Sequence, residues 1–505
     1  MGLYDFTYYD LVNRNGASYG SRTAWLDGAG ARGITFAQVR ERVDRLACGL
    51  QKLGIAKGDR VGVLAKNSAE YFFLFGAAAA LGAVMLPINW RLAAEEVEFI
   101  LKDGEPKVLF VDGEYQALIE GMKNRLTTVE SYRALGYEAE GLGDIASLMD
   151  NDGVFHREEV SSDDGFVIIY TAAVAGRPRG AFLSHRNVLL ADFHFDFFLN
   201  INAKDVHLSF LPFFHVGGLF MATAAFHAGA LNLSLNRFDA SQAAEFIHEK
   251  KVSFMMVFSP VLSSILDEQS KKDMDLSSLR AVTGIDTPET IERYEKTIGG
   301  TFYSMYGQTE TSCLATFGAY RERPGAAGKM LPLAEVTLVD DYDRPVPTGQ
   351  VGEITVRGPM VFKGYWRLPE DTAYTFREGR HHTGDLGRFD EEGFLWYAGR
   401  KAEKELIKPG GENVYPAEVE KVILQHPAVE RTVVFGVPDP KWKEGIKAVC
   451  TLKEGGTLTV EALISFVGER IARYKKPQYV EFVSEIPLLP DGSVDRAKVK
   501  ALYGN

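Results

Sequence analysis

The sequence predicts an α/β protein: a large N-terminal domain of layered α/β subdomains with a small β unit, followed by a small α/β C-terminal domain. Three observations lead there. Amphipathic stretches alternate with short apolar runs through the first three hundred residues, as in layered domains with parallel strands. After about Arg321 the texture changes to shorter strands with frequent glycines. A charge-dense stretch, Arg400-Lys401-Ala402-Glu403-Lys404-Glu405, then precedes Pro409-Gly410-Gly411 and about a hundred residues of renewed α/β character, which reads as a hinge or linker.

The elements follow in order. Thr35-x-x-Gln38 is a capping signature, and apolar residues at 36, 39, 43, 46, 50 and 53 form a helical stripe ended by Gly54. The strand Arg60 to Ala65 comes next. Tyr71 to Ile88 is uncharged for 18 residues, the lower edge of membrane-spanning length, but it divides into two buried elements. Asn67 with Glu70 starts a helix, Gly82 stops it, and Ala83 to Leu86 is a strand closed by Pro87. A helix near Glu95 to Leu101 and the strand Val108 to Val111 continue the rhythm, which returns at Phe166 to Tyr170, Val206 to Leu211 and Val252 to Phe258. The β unit holds Ala334 to Val339, Gly352 to Arg357 and Gly393 to Tyr397.

Composition narrows the function. At 505 residues the chain has room for about three domain equivalents. With 46% hydrophobic and 25% charged residues it is an ordinary folded chain. A net charge of −12, from 56 basic and 68 acidic residues, argues against a nucleic-acid coat or an anionic-membrane binder. Three scattered cysteines, Cys48, Cys313 and Cys450, build neither a disulfide framework nor a zinc site, and the N-terminus shows no signal peptide, so a cytoplasmic location is expected.

Chemistry concentrates in a few segments. Tyr170 to Gly180 is a small-residue loop with arginines between a buried strand and the Ser184-His185-Arg186-Asn187 helix start. Such a loop can cradle phosphate on backbone N–H groups, although small residues there usually mean only tight packing. Tyr306-Gly307-Gln308-Thr309-Glu310-Thr311 offers a ring to stack on a base and a carboxylate for Mg²⁺; the alternative is a solvated turn. His381 and His382 are adjacent in a strand, so they face opposite sides and do not share a metal, whereas Asp385 suits sugar hydroxyls.

Taken together, the loop at Tyr170 to Gly180, Tyr306 to Glu310, Gly352-Glu353-Ile354, Thr383-Gly384-Asp385, Gly399-Arg400 and Gly410 to Pro416 resemble the ordered motifs of the AMP-forming acyl-CoA synthetases. These belong to the adenylate-forming superfamily with luciferases and peptide-synthetase adenylation domains. The resemblance runs from about residue 6 to 500 and takes in Lys57 to Val61 and Ala83 to Arg91. It implies an N-terminal domain over 1–399, a hinge at 400–405 and a small mobile C-terminal domain over 406–505. It also implies a carboxylic acid–CoA ligase, an acid–thiol ligase with ATP, coenzyme A and Mg²⁺ as cofactors: a carboxylate attacks Mg-ATP to give acyl-AMP and pyrophosphate, and coenzyme A then displaces AMP. The implied partners are these small molecules and a fatty or aromatic acid, with no nucleic acid and no membrane span. A homodimer would be unsurprising.

By the same resemblance, Thr171, Gly176 and Gly180 face the phosphates. Tyr306 packs on adenine opposite the backbone of Gly284, Ile285 and Asp286, with Gly307 and Tyr397 beside the nucleotide. Thr309 reaches a phosphate, Glu310 holds Mg²⁺, and Asp385 and Arg400 contact ribose. His215 gates the acyl pocket or sits by the activated carboxylate, with Phe213 and Phe214 as apolar wall. Lys408, Gly410 and Gly411 line the pantetheine path. Neither Leu211 to Gly218 nor Met255 to Phe258 carries a lysine or arginine for a second carboxylate, so a mainly apolar monocarboxylic acid is expected.

The sequence departs from the family at two catalytic positions. Ala172 to Ala175 replace the hydroxyl-bearing core of the phosphate loop, and Arg179 stands where the family has lysine. Ser493 stands at the position of the lysine that bridges carboxylate and α-phosphate, so Arg496, Lys498 or Lys500 must substitute or adenylation is slow. Two alternatives follow: an enzyme of the thioester half-reaction alone, and a non-catalytic binder of nucleotide or acyl-CoA. The hinge is also about two residues longer than the common spacing, which bears on Arg400.

Overall fold

The computed structural model describes residues 3, 5–28, 33–137, 142–171, 178–340, 342–401, 406–412, 414–488 and 494–504. Contacts divide the chain into two compact units, one of residues 1–90, 101–169 and 180–398, the other of 91–100, 170–179 and 399–505.

Among the described residues the larger unit contains an eight-stranded and a nine-stranded sheet. The eight-stranded sheet is parallel through Val84–Pro87, Arg60–Leu64, Val108–Val111 and Ser131–Ala134. In the other, Val206–Ser209, Phe254–Phe258, Ala281–Ile285 and Thr301–Tyr306 run parallel in sequence. Phe254 and Met256 face one apolar core, and Met255 and Val257 face another. A strand buried on both faces reads as an unbroken apolar run, which is why Met255-Met256-Val257-Phe258 looked continuous. The helices Tyr8–Ser18, Phe36–Lys52, Ala69–Leu81, His185–Leu199 and Val216–His227 supply much of the first core.

The capping box at Thr35 forms as expected, with Gln38 closing it. The 18-residue uncharged run is the helix Ala69–Leu81, a left-handed Gly82 and the strand Val84–Pro87. No helix among the described residues is long and apolar enough to cross a membrane. The helix start is one residue later than read: Ser68 is the N-cap, accepting from the Tyr71 N–H at 3.1 Å. Asn67 is turned away, its amide donating to the Leu211 carbonyl at 2.8 Å while its oxygen accepts the Phe213 N–H at 3.0 Å. A side chain that can serve two distant backbone groups is worth more there than at a cap that serine fills equally well.

The expected β unit is a five-stranded sheet built from Glu335–Val339, Gly352–Arg357, Phe376–Arg377, Arg380–Phe389 and Leu395–Arg400. In the smaller unit, Val429–Asp439 and Lys443–Leu452 pair antiparallel, and Tyr479–Phe482 joins the second in parallel. Helices Pro416–Ile423, Val460–Gly468 and Arg496–Tyr503 complete it. Expected hinge residues 402–405 lie outside the described residues, as do Ala172 to Ala175, Gly176 and Ser493.

Candidate active site

In the larger unit, the parallel strands Ala281–Ile285 and Thr301–Tyr306 end side by side, with Gly284 opposite Ser304. The carboxyl ends of such strands are where open α/β sheets take ligands. Gly284 has φ +133°, and a Cβ there would stand 1.9 Å from the Val257 carbonyl oxygen, so only glycine fits against the neighbouring strand Phe254–Phe258. Ile285 follows half exposed, and the Asp286 carboxylate accepts from the Thr287 N–H at 2.8 Å.

Tyr306 ends its strand buried, its ring stacked on that of half-exposed Tyr397 at 6.3 Å between centroids. Its hydroxyl donates to Asp385 Oδ2 at 2.8 Å. Gln308 Nε2 donates to the same oxygen at 2.6 Å and to the Thr383 carbonyl at 3.1 Å. Asp385 is only 2% exposed. The turn that presents it is held by Glu353, which accepts the Gly384 N–H at 2.9 Å, and by Thr383, which donates to the Ile354 carbonyl at 2.6 Å. Gly384 takes φ +69° there, a left-handed conformation that glycine adopts without steric cost.

After Gly307 and Gln308 the chain turns through Thr309–Thr311, and buried Glu310 accepts from the Tyr365 hydroxyl on Oε1 at 2.8 Å. The Glu310 carbonyl accepts the Phe362 N–H at 2.9 Å. Tyr365 also pairs with Ala181 in the strand Arg179–Ser184, so one residue ties this carboxylate to the strand that leaves the small-residue loop. Among the described residues Glu310 Oε2 accepts no hydrogen bond, and no cluster of three or more His, Cys, Asp or Glu side chains gathers. That donor set fits Mg²⁺ held by one carboxylate and by a nucleotide's phosphates, and does not fit an all-protein cage.

His381 and His382 do face opposite ways. His381 Nδ1 meets the Thr375 hydroxyl at 3.0 Å and its Nε2 lies 3.4 Å from Gln308 Oε1. His382 packs toward Arg377 and Glu353.

His215 starts the helix Val216–His227, its ring 4.6 Å from that of Phe214. Phe214 meets Trp90 edge-on at 6.1 Å, and Trp90 stacks with Tyr115 at 6.3 Å. Phe213 departs from its expected place on a pocket wall. Its ring is fully buried between Trp25, Tyr71, Phe72 and Phe75, and so belongs to the core. Successive residues point to different sides, and the Asn67 bond to the Phe213 N–H fixes which side each takes.

In the smaller unit, the Thr171 hydroxyl donates to the Arg179 carbonyl at 3.3 Å, and Gly180 opens the neighbouring segment of the larger unit. Arg400 ends the strand that begins at Leu395. The Lys408 N–H donates to Glu444 at 2.7 Å, and Gly410 takes φ +60° with Gly411 after it. Arg496 donates to Glu420 Oε1 at 2.6 Å and to the Val434 carbonyl at 2.8 Å, so its guanidinium is already engaged. The residues that sequence reasoning missed are Tyr365 and Tyr115. Gln308, Glu353 and Trp90 were visible within their motifs but had no role.

Comparison with known proteins identifies a family and its relatives. The family model described as AMP-binding enzyme matches residues 12–366, and that described as AMP-binding enzyme C-terminal domain matches 418–492. The chain is 34% identical to indoleacetate–CoA ligase of Aromatoleum aromaticum over 93% of both chains. It is 32% identical to the long-chain-fatty-acid–CoA ligase FadD13 of Mycobacterium tuberculosis, again over 93% of both. Among solved structures, o-succinylbenzoate CoA synthetase of Bacillus subtilis superposes with a TM-score of 0.85 at 26% identity, covering 98% of each chain.

Proposed function

The chain belongs to the AMP-binding enzyme family, whose relatives here are acid–thiol ligases, and from that premise we propose that it joins a mainly apolar monocarboxylic acid to coenzyme A through an acyl-AMP. The observation that carries the reading is the joint presentation of two buried carboxylates, Asp385 and Glu310, by the segment Tyr306 to Glu310. One carboxylate suits sugar hydroxyls and the other a hard cation, as Mg-ATP requires.

In this reading the adenine lies between Tyr306 and the backbone of Gly284, Ile285 and Asp286, Asp385 accepts from ribose hydroxyls, and Arg400 supplies a second ribose contact. Thr309, Thr171 and Gly180 meet the phosphates, and Arg179 supplies positive charge. Glu310 holds Mg²⁺, which when bound neutralises phosphate charge. The substrate carboxylate attacks the α-phosphorus and the bond to the bridging oxygen breaks, releasing pyrophosphate. The coenzyme A thiolate then attacks the acyl carbon and AMP leaves. Lys408, Gly410 and Gly411 serve the thiol half-reaction, in a C-terminal domain that begins after a hinge at 400–405. Phe214, His215, Trp90 and Tyr115 form an aromatic surface suited to an apolar acyl group.

The engagement of Arg496 by Glu420 favours a second reading, the thioester half-reaction alone, because it removes one of the cations that could replace a lysine at position 493. The experiment incubates the protein with Mg-ATP, coenzyme A and a pool of carboxylic acids and seeks AMP and new acyl-CoA masses by mass spectrometry. Acyl-CoA formation supports the full ligase and names the acid. Its absence, with turnover of synthetic acyl-AMP, supports the second reading, and silence in both assays overturns both.

A further inference from the structure

We propose that Gln308 is a positioning residue for recognition of the nucleotide's sugar, acting by holding the Asp385 carboxylate in one orientation. This rests on the reading of Asp385 as the ribose acceptor. Three donor contacts define the arrangement. Gln308 Nε2 reaches Asp385 Oδ2 at 2.6 Å and the Thr383 carbonyl at 3.1 Å, and the Tyr306 hydroxyl reaches the same Oδ2 at 2.8 Å. Both side-chain donors therefore converge on one oxygen, and a carboxylate pinned on one oxygen by charge-assisted bonds cannot rotate about its terminal torsion without losing both.

The amide itself has one possible orientation. Flipped, its oxygen would face the Asp385 carboxylate and the Thr383 carbonyl, three acceptors with no proton among them. As placed, Oε1 lies on the far side, 3.4 Å from His381 Nε2, and His381 is held in turn by the Thr375 hydroxyl at 3.0 Å. The Gln308 backbone is fixed separately, its N–H donating to Thr311 Oγ1 at 2.9 Å. The side chain thus joins two pieces of the fold, the turn after the strand Thr301–Tyr306 and the turn Thr383-Gly384-Asp385, across 77 positions of sequence.

Because it acts through Asp385, Gln308 is expected to govern contacts to the sugar and to leave those to base and phosphate alone. The experiment measures equilibrium binding of ATP, 2′-deoxyATP and 3′-deoxyATP in the presence of Mg²⁺ by calorimetry, which needs no knowledge of the acid. Wild type, Gln308→Leu, Gln308→Met and Asp385→Asn are compared, with melting temperatures recorded for each. The expected result is that wild type prefers ATP to at least one deoxy analogue. Each Gln308 variant then loses roughly tenfold in ATP affinity and less than twofold for that analogue, so that its sugar preference approaches that of Asp385→Asn. Equal loss for ATP and the analogues in a folded Gln308 variant would overturn the positioning role while leaving Asp385 as the ribose acceptor. A wild type that binds all three equally would overturn the Asp385 reading and the proposal with it. If Gln308→Leu does not fold, Gln308→Met, which fills similar volume without a donor, decides the question alone.

Discussion

Asp196 and Asp192 lie one turn apart on the helix His185–Leu199, and burial acts on both carboxyls before any neighbour does. Asp192 has help, accepting from the Thr223 hydroxyl at 2.6 Å with His227 Nδ1 at 3.5 Å. Asp196 Oδ1 is buried without a hydrogen bond among the described residues. Desolvation, then repulsion from Asp192, pushes the Asp196 carboxyl up to about 9 against an opposing pull from Arg14. The folded protein therefore keeps a proton there that the unfolded chain releases near pH 4. Stability from this group is fully present below that pH and is lost progressively as pH rises toward 9. Asp196→Asn is expected to raise the melting temperature near pH 8 by at least about 3 °C and to change it little near pH 4; an equal shift at both would remove titration as the cause. Nothing in the sequence marked this pair, since an aspartate on an amphipathic helix reads as solvated. Tyr306, Glu310 and Asp385 could be proposed from the sequence because residue type and local spacing suffice to suggest stacking, cation binding and sugar contact. The Tyr365 partner of Glu310 was not, because it lies 55 positions away and only the fold brings it there.

Single elements were read most securely where their signals are local. The capping box at Thr35 and the left-handed stop at Gly82 involve neighbours within a turn, and both formed as read. The start of Ala69–Leu81 was misplaced by one residue because two good capping side chains stand in a row, and the choice between them is made 144 residues away. Asn67, 5% exposed, is recruited by the Leu211 carbonyl and the Phe213 N–H. That bond pair sets the segment in which Phe213 enters the core and Phe214 and His215 face the other way. Asn67→Ala leaves one buried donor and one buried acceptor without partners, at about 1–3 kcal/mol each. Denaturant unfolding should register a loss of at least about 2 kcal/mol for Asn67→Ala and about 1 kcal/mol for Ser68→Ala, whose cap is a single bond. Asn67→Ala should also raise KM for the acid, with KM for ATP unchanged, since no nucleotide contact is proposed for this segment. A Ser68 variant that moved KM for the acid as far would show that the helix as a whole, and not the Asn67 bridge, positions His215.

Taken whole, the molecule carries a net charge of −12 and is proposed to bring together a carboxylate, ATP and coenzyme A, all anionic. Adenylation has to place two of these anions in contact, so positive charge must be supplied locally, and a preorganised donor of this kind is commonly worth a hundredfold or more in rate. Ser493 supplies none. Arg496 is engaged by Glu420 and Val434, and withdrawing it would leave Glu420 without that partner. Arg496→Ala is therefore expected to lower stability, and to slow acyl-AMP formation no more than that loss explains. Ser493→Lys should raise acid-dependent ATP–pyrophosphate exchange by at least about tenfold, equivalent to about 1.4 kcal/mol off the barrier. ATP affinity should be unchanged, and so should the rate of thioester formation from synthetic acyl-AMP, because neither depends on bridging carboxylate and α-phosphate. The three measurements separate the readings. Exchange that rises alone identifies position 493 as the missing cation of a ligase whose fold and nucleotide site are intact. Exchange that is already fast in the wild type, and is abolished in a stably folded Arg496→Ala, would place the cation on the helix Arg496–Tyr503 and overturn the structural role given to Arg496.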